Sequence, residues 1–209
     1  MFILTCASQL ENNKNSTYQT KDAVLEATYL NERYHQHERS YTIKEQHKEY
    51  TVICPEFRKS AKGNSPIVIL PDFLISGRHY PVYIYLYAIN LYSADPEKGQ
   101  RWAAAETRKK FGLATFAHTT LGRALKAFVR NIGVEAADAP AYADAMGDAS
   151  NETEPSRFPA VHDTAVPRII AAQFLREKLP EAAGQDQEAV ASYCTLASEF
   201  FKEHGHFLL

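Results

Sequence analysis

The chain has 209 residues, of which 45% are hydrophobic, 23% charged and 11% aromatic, and its formal net charge is −2. This composition excludes a disordered or fibrous chain and indicates a globular protein with a buried core. The three cysteines are widely spaced and indicate reduced thiols, the N-terminus lacks a basic leader, and residues 82–91 are too short a run for a membrane helix. We therefore expect a cytoplasmic protein without a membrane partner.

Charge is distributed unevenly along the chain. Residues 1–77 contain nine basic residues (Lys and Arg) and nine acidic residues (Asp and Glu). Residues 78–132 contain nine basic and three acidic residues, and residues 133–209 contain five basic and thirteen acidic residues. The middle segment, at +6, has the electrostatic footprint of a phosphate-binding module. The acidic segment, at −8, is expected to lie away from phosphates or to mask the basic face. Ordinary solvated surfaces are the other interpretation.

The first third predicts a helix and a small antiparallel β unit. Residues 2–5 predict a short strand, residues 11–20 a polar loop and residues 21–34 a helix. Residues 67–70 (IVIL) predict a buried strand that Pro71 ends. A hairpin around KEQHKE is predicted by alternating apolar residues, namely Tyr41, Ile43, Tyr50, Val52 and Cys54.

Cys54 lies in a setting that resembles a zinc knuckle but lacks its second ligand. In a Cys-Pro-x-Cys knuckle two thiolates reach one tetrahedral zinc, and here Phe57 stands where the second cysteine belongs. His35 and His37 precede it, but a pair one residue apart on a strand fixes no fourth ligand. We therefore predict that the chain binds no metal and no cofactor. The side chain of Phe57 is expected to fill the space that the metal ion occupies in a zinc knuckle. A residual site formed by His35, His37 and Cys54 is the alternative.

Residues 78–132 predict three helices. The first begins near Pro81 and keeps a helical apolar period up to the turn SADPEKG. The second, RWAAAETRKK, is rich in alanine and ends at Gly112. The third, residues 118–132, has an apolar stripe formed by Leu121, Leu125, Phe128, Val129 and Ile132. Two helices that meet across a turn are the skeleton of a helix-turn-helix, whose second helix enters the major groove.

The opposite face of the third helix is cationic, because Arg123, Lys126 and Arg130 project from it. Arg123, nearest the start of the helix, is the candidate for bidentate contact with a guanine edge. Thr119 and Thr120 are expected to cap the helix and to donate to a phosphate. Contacts from the preceding helix to the DNA backbone are expected from Arg108, Lys109 and Lys110. For each residue, the alternative is a solvated surface charge.

The last third predicts a linker and a helical hairpin. Residues 133–163 are rich in Ala, Asp, Pro, Ser and Glu, which indicates an acidic linker. Residues 164–209 predict two amphipathic helices that form an acidic hairpin. The stripe of the second helix, which consists of Val190, Tyr193, Cys194, Ala197, Phe200 and Phe201, needs an apolar partner. That partner is either the body of the same chain or a second copy in a homodimer.

The order of a cysteine knuckle, a strand, LPDFLISGRHY, a helix and the pair A…KKFGL…TTLGRALKAF resembles small bacterial proteins associated with insertion sequences. Such proteins carry an N-terminal zinc ribbon and a helix-turn-helix, as many transposases do, and the resemblance covers roughly residues 41–130. The chain departs from the pattern at Phe57, at Arg108, where alanine is usual, and in a turn about three residues longer than the common one. The remaining 77 residues are too few for a ribonuclease-H-like domain. The resemblance implies a DNA-binding module without its own nuclease.

Together these observations predict an α+β fold, mainly α. Its predicted parts are a helix with a degenerate zinc-ribbon-like β unit (1–77), a three-helix core (78–132), a linker (133–163) and a helical hairpin (164–209). The predicted function is binding of double-stranded DNA, as a regulator or accessory protein of a mobile element. Because no catalytic motif is found, we do not expect an enzyme. The alternative is a protein-interaction module that uses the C-terminal amphipathic helices.

Overall fold

A computed structural model describes residues 2–5, 10–13, 17–20, 34–45, 48–59, 66–133, 165–179 and 186–209. The fold is α+β and mainly helical, as the sequence predicts. The helix predicted over residues 21–34 and the linker predicted over residues 133–163 lie, apart from Tyr34 and Gly133, outside the described residues.

The described residues form one sheet and five helices. The strands are β1 Phe2–Thr5, β2 Leu10–Asn13, β3 Thr17–Thr20, β4 Tyr34–Glu45, β5 Lys48–Lys59 and β6 Ile67–Pro71. The helices are α1 Val82–Ala94, α2 Gln100–Lys110, α3 His118–Asn131, α4 Ala165–Lys178 and α5 Asp186–His204. Within these residues, no helix is both long and apolar enough to cross a membrane.

β5 is the central strand of the sheet. Its whole length pairs antiparallel with β4, while its other edge pairs first with β3, in parallel, and then with β6, antiparallel. β1 runs parallel to β6, and β2 runs antiparallel to β3.

The predicted hairpin and the predicted strand of residues 67–70 are confirmed. The loop predicted over residues 11–20 is wrong, because β2 and β3 form there. Their polar side chains give no apolar alternation, and the hydrogen bonds come from the pairing of β2 with β3 and of β3 with β5.

The zinc-knuckle interpretation is also wrong, because Cys54 and Phe57 lie in the middle of one continuous strand. A knuckle needs a tight turn between its ligands, whereas residues three apart on a strand point to opposite faces. Both side chains are fully buried. Cys54 joins the apolar cluster on one face of the sheet, together with Val52, Val68 and Leu70.

Glu56 is a buried carboxylate between these two residues. Its side chain is 1% exposed, and its two oxygens lie 2.8 Å from Arg39 Nε and 2.6 Å from Arg58 Nε. A buried charge is tolerated when it is paired and hydrogen-bonded. The two guanidinium groups therefore explain how a glutamate fits within this part of the strand.

α1 is buried on nearly every side. Its sequence, VYIYLYAINLYSA, contains no charged residue, and apart from Tyr87 and Leu91 its large apolar side chains are buried. A helix that is apolar all round belongs in a core. α2, α3, α4 and α5 all pack against it. α1 is therefore the central element of the helical part.

α4 and α5 occur where the sequence predicts two helices, but their main contacts are with α1 rather than with each other. The stripe of α5 is satisfied within the chain, since Tyr193, Ala197 and Phe200 are buried in the helical core. Asn90 Nδ2 of α1 donates a hydrogen bond to the hydroxyl of Tyr193 at 3.0 Å. Residues 164–209 carry six acidic and four basic residues and are acidic overall, as predicted, although α4 alone carries three basic residues and one acidic residue.

The C-terminal residues connect the helical part to the sheet. Leu208 and Leu209 are buried, and Phe207 packs against both the helical core and the apolar cluster of the sheet. Asn131 Nδ2 donates to the carbonyl oxygen of Phe207 at 3.0 Å. A second connection comes from the Lys44 N–H, which donates to the carbonyl oxygen of His79 at 3.0 Å.

Arg168 joins the start of α4 to the loop between α1 and α2. Its guanidinium group donates to the carbonyl oxygens of Pro96 at 3.1 Å and Lys98 at 3.0 Å, and also to that of Asp95. The same group lies 4.2 Å from the centre of the Tyr92 ring, a cation–π contact. One planar cation therefore holds the first turn of α4 against the end of α1 and the loop that leads into α2.

We predict that Arg168→Lys lowers the free energy of unfolding by about 1–3 kcal/mol, because an ammonium cannot reproduce a planar fork with several donors. Urea denaturation measures the change. Arg176→Lys is the matched control, since Arg176 lies exposed on the same helix, and we expect no measurable effect from it. Equal stabilities of the two variants would contradict the role given to Arg168.

Alkaline pH is predicted to destabilise the fold through buried tyrosines. Burial raises the pKa of Tyr193, although the hydrogen bond from Asn90 acts in the opposite direction. Burial likewise raises the pKa of Tyr85. Above pH ~10 the unfolded chain loses these protons while the folded chain keeps them. Their contribution to stability is therefore complete below pH ~10 and is lost as pH rises through the folded-state pKa.

Urea midpoints measured between pH ~9 and pH ~11 test this expectation, since the pH dependence of stability reports the difference in bound protons. Tyr193→Phe should lower stability at pH ~9, because the Asn90 hydrogen bond is lost. It should also reduce the further loss at higher pH. An unchanged slope in this variant would exclude Tyr193 as a source of the pH dependence.

Candidate functional site

α2 ends at Lys110, and Gly112, which the sequence predicts as the stop, follows two residues later. The Leu113 N–H donates to the carbonyl oxygen of Arg108 at 2.9 Å, and the Phe111 N–H donates to that of Thr107 at 3.1 Å. Gly112 has φ +56°, the left-handed conformation that glycine adopts most readily. This is the Schellman arrangement, which satisfies the last carbonyls of a helix and turns the chain away from its axis.

The connection from α2 to α3, residues 111–117, is long for a helix-turn-helix but well anchored. The hydroxyl of Tyr80 donates to the carbonyl oxygen of Thr115. The Phe116 ring lies 5.2 Å from the ring of Tyr80 and 5.9 Å from that of Tyr85. Leu113 is buried as well. These contacts hold the turn against α1 and so fix the position of α3 relative to α2.

The apolar face of α3 is inside the protein, as the sequence predicts. Leu121, Leu125 and Phe128 are at most 2% exposed. The Phe128 ring lies 5.4 Å from the ring of Phe174 of α4 in an edge-to-face contact. Val129 and Ile132 pack at the margin of the same core. α3 is therefore held on one side by α1 and α4.

The opposite face of α3 is exposed at Arg123, Lys126 and Arg130. Arg130 Nε donates to Asn131 Oδ1 at 3.2 Å. None of the ion pairs found between described residues involves these three cations. Within that part of the chain, their charge is not neutralised by a carboxylate of the same molecule.

Arg108, Lys109 and Lys110 are exposed at the C-terminal end of α2. Arg108 does not take part in the close packing of α2, because small residues nearer the middle of the helix provide it. Ala103 and Ala104 are buried there, and the hydroxyl of Thr107 donates to the carbonyl oxygen of Ala103 at 2.7 Å. The alanine expected at position 108 is therefore not needed for helix packing.

The capping role predicted for Thr119 and Thr120 is wrong. α3 begins at His118, its N-cap position is Ala117, and no side chain caps it. Both threonines therefore lie inside the first turn, and their hydroxyls do not perform a capping function. Thr119 is exposed and Thr120 is half-buried. Thr119 and Arg123 line the same groove, and the predicted donation from the threonine hydroxyls to a phosphate stays a prediction.

A groove of about 350 Å³ lies between α3 and the first turns of α2 and α4. Its lining includes Gln100, Thr119, Gly122, Arg123, Lys126 and Pro167. Gly122 lies beside the end of the Gln100 side chain, since a Cβ at this position would lie 3.0 Å from Gln100 Oε1. Three of the predicted DNA-binding residues are thereby brought to one concave surface.

This surface is electropositive. Residues 100–131 contain seven Lys and Arg and one Asp or Glu. The first turns of α2 and α4 carry no acidic residue. Because the N-terminal end of a helix carries a partial positive charge, both helices add to the cationic side chains of α3. The arrangement can attract and hold anions, above all the oxygens of phosphate groups.

The residues considered for a metal site differ in their exposure to solvent. Cys54 is buried in the apolar cluster of the sheet, whereas His37 is exposed and pairs in the sheet with Glu56. The side chain of His35 lies outside the described set. Among the side chains that the structure describes, no group of three His, Cys, Asp or Glu is placed to hold a metal ion.

Comparison of the chain with family models, with curated proteins and with solved structures gives no significant match. The function is therefore inferred from the sequence and from the geometry of the α2–α3 surface.

Sequence reasoning missed the groove and the residues that complete it, namely Gln100 and Pro167. Pro167 is 41 positions from Lys126 in the sequence, and only the packing of α4 on α3 brings the two together. One signal was present in Gly122, because a glycine inside a helix lowers its stability and often marks a close approach. The sequence did not indicate which residue lies next to Gly122.

We predict that Gly122→Ala raises the free energy of unfolding by about 0.5–1 kcal/mol, because alanine is the better helix former. The new Cβ would meet only the end of the Gln100 side chain, which can move aside. Urea denaturation measures the effect, and Gly122→Ala with Gln100→Ala removes the neighbouring amide. If Gly122→Ala lowers the stability and the added Gln100→Ala does not restore it, the new Cβ must clash with backbone rather than with the Gln100 side chain.

Proposed function

We propose that the chain binds double-stranded DNA through α2 and α3, as a non-catalytic cytoplasmic protein. The observation that carries the proposal is the orientation of α3. Its apolar stripe is buried against α1 and α4, and Arg123, Lys126 and Arg130 project outward. Cations held on a rigid helix and not paired by described carboxylates of the chain are suited to phosphate oxygens.

Contacts from the two helices would have different roles. Arg108 and Lys109, at the end of α2, would meet the DNA backbone and supply affinity that does not depend on sequence. Arg130 and Lys126 lie farther along α3 and would extend the same surface. The prediction that Arg123 reads a guanine edge stays a prediction, and it depends on how deeply α3 enters the major groove.

A role as a regulator or accessory protein of a mobile element is the narrower form of the proposal. It is supported only by the sequence pattern shared with insertion-sequence proteins, and within that pattern the helix pair is the relevant part. The zinc knuckle does not contribute to it, because Cys54 and Phe57 are strand residues.

The rival proposal, a protein-interaction module that uses the C-terminal helices, has less support. Its apolar residues would need to be available to a partner. Tyr193, Leu196 and Phe200 are instead buried against the core that α1 organises. The stripe that suggested a dimer is therefore occupied within the chain.

A salt series of duplex binding tests the proposal. We predict that Arg123→Ala with Lys126→Ala weakens binding and lowers the slope of log K against log salt by about two, because each lost phosphate contact removes about one unit. The measurement is fluorescence anisotropy with a random-sequence duplex.

The matched control is Arg176→Ala with Lys178→Ala, which also removes two exposed cations but from the end of α4. This variant should keep the wild-type slope. If both double variants lose the same slope, net charge rather than the α3 surface determines binding. Absence of duplex binding by the wild-type chain at low salt would exclude the proposed function.

A further inference from the structure

The groove beside α3 is formed by three separate elements. Gln100 is the first residue of α2, Pro167 lies in the first turn of α4, and Gly122 and Leu125 belong to α3. Because Arg168 binds the carbonyls of residues 95, 96 and 98, the starts of α2 and α4 are fixed beside each other. The hydrogen bonds of Arg168 thus help to determine the shape of the groove.

Two cationic side chains line this concave surface. Arg123 and Lys126 are neighbours on α3, three residues apart and nearly one turn along the helix. Both are exposed, and no ion pair between described residues engages either of them. The hydroxyl of Thr119 and the amide of Gln100 add neutral hydrogen-bond donors. The polar groups of the groove are therefore those that an anion with several oxygens requires.

The size and the apolar part of the groove restrict the anion further. A volume of about 350 Å³ is larger than a single inorganic phosphate occupies, and it lies in the range of small-ligand sites. Leu125 and Pro167 supply apolar surface beside the cations. A sugar ring can pack on that surface while an adjoining phosphate meets Arg123 and Lys126.

We propose that this groove binds one backbone phosphodiester of nucleic acid together with an adjoining sugar. The inference rests on the proposed function and specifies how the same surface engages DNA. Arg123 and Lys126 hold the phosphate oxygens, and Thr119 and Gln100 donate hydrogen bonds to them. Arg123 is then a phosphate contact rather than the reader of a guanine edge.

NMR titration of the full chain tests the site without a duplex. The probes are the dinucleotide thymidylyl-thymidine, which has one phosphodiester, and inorganic phosphate, which has no sugar. The reporters are the backbone amides of Gln100, Thr119 and Gly122. We expect saturable shifts at all three with the dinucleotide, and weaker binding of inorganic phosphate at the same amides.

Arg123→Gln and Lys126→Gln should each weaken dinucleotide binding about tenfold, the usual size of one lost charge-assisted hydrogen bond. Lys178→Gln is the matched control, since it removes an exposed cation of α4 that does not line the groove, and it should change the affinity less than about twofold. Circular dichroism and the thermal midpoint establish that each variant is folded.

The outcomes separate the two proposals. If a duplex binds with strong salt dependence but the three amides do not shift with either probe or with the duplex, the groove inference is overturned and the DNA-binding proposal stands. An equal loss of dinucleotide affinity in all three single variants, the control included, would also overturn the groove inference. If the dinucleotide binds at these amides and no duplex binds, the groove inference is supported and duplex binding fails.

Discussion

Burial of α1 is the constraint on which the helical part depends. A helix with no charge from Val82 to Ala94 is stable in water only when other elements cover it on every side. α2 to α5 provide that cover, and each does so with its own apolar face. Their polar faces must then point outward. The position of the cationic residues therefore follows from the need to bury α1.

The same constraint explains why the α2–α3 surface is concave. α4 packs against both α1 and α3, which brings its first turn close to that of α2. Arg168 holds the start of α4 against the loop that leads into α2, and the end of the Gln100 side chain lies beside Gly122. A helix-turn-helix whose second helix stands clear of its neighbours would present only a convex surface. Here α4 adds a wall beside α3.

Local patterns predicted those parts of the fold that depend on neighbours in sequence. The period of Leu121, Leu125 and Phe128 placed α3, and Gly112 placed the end of α2, because both signals act within one or two helical turns. β2 and β3 were missed because their residues are mostly polar, and their pairing, of β2 with β3 and of β3 with β5, leaves no apolar alternation in the sequence. Whether the stripe of α5 packs on the body of the same chain or on a second copy was left open, because its contacts with α1 join distant residues, such as Asn90 and Tyr193, which are 103 positions apart.

Lysine acetylation footprinting of the full chain, with and without a duplex, tests the central claim most directly, namely that the outward face of α2 and α3 meets DNA. The account predicts that bound duplex protects Lys109 and Lys126 from the reagent, because phosphate contacts cover their amines. Lys178 and Lys202, exposed on α4 and α5, should keep their reactivity. Protection of Lys178 or Lys202 with unchanged reactivity at Lys109 and Lys126 would contradict the account.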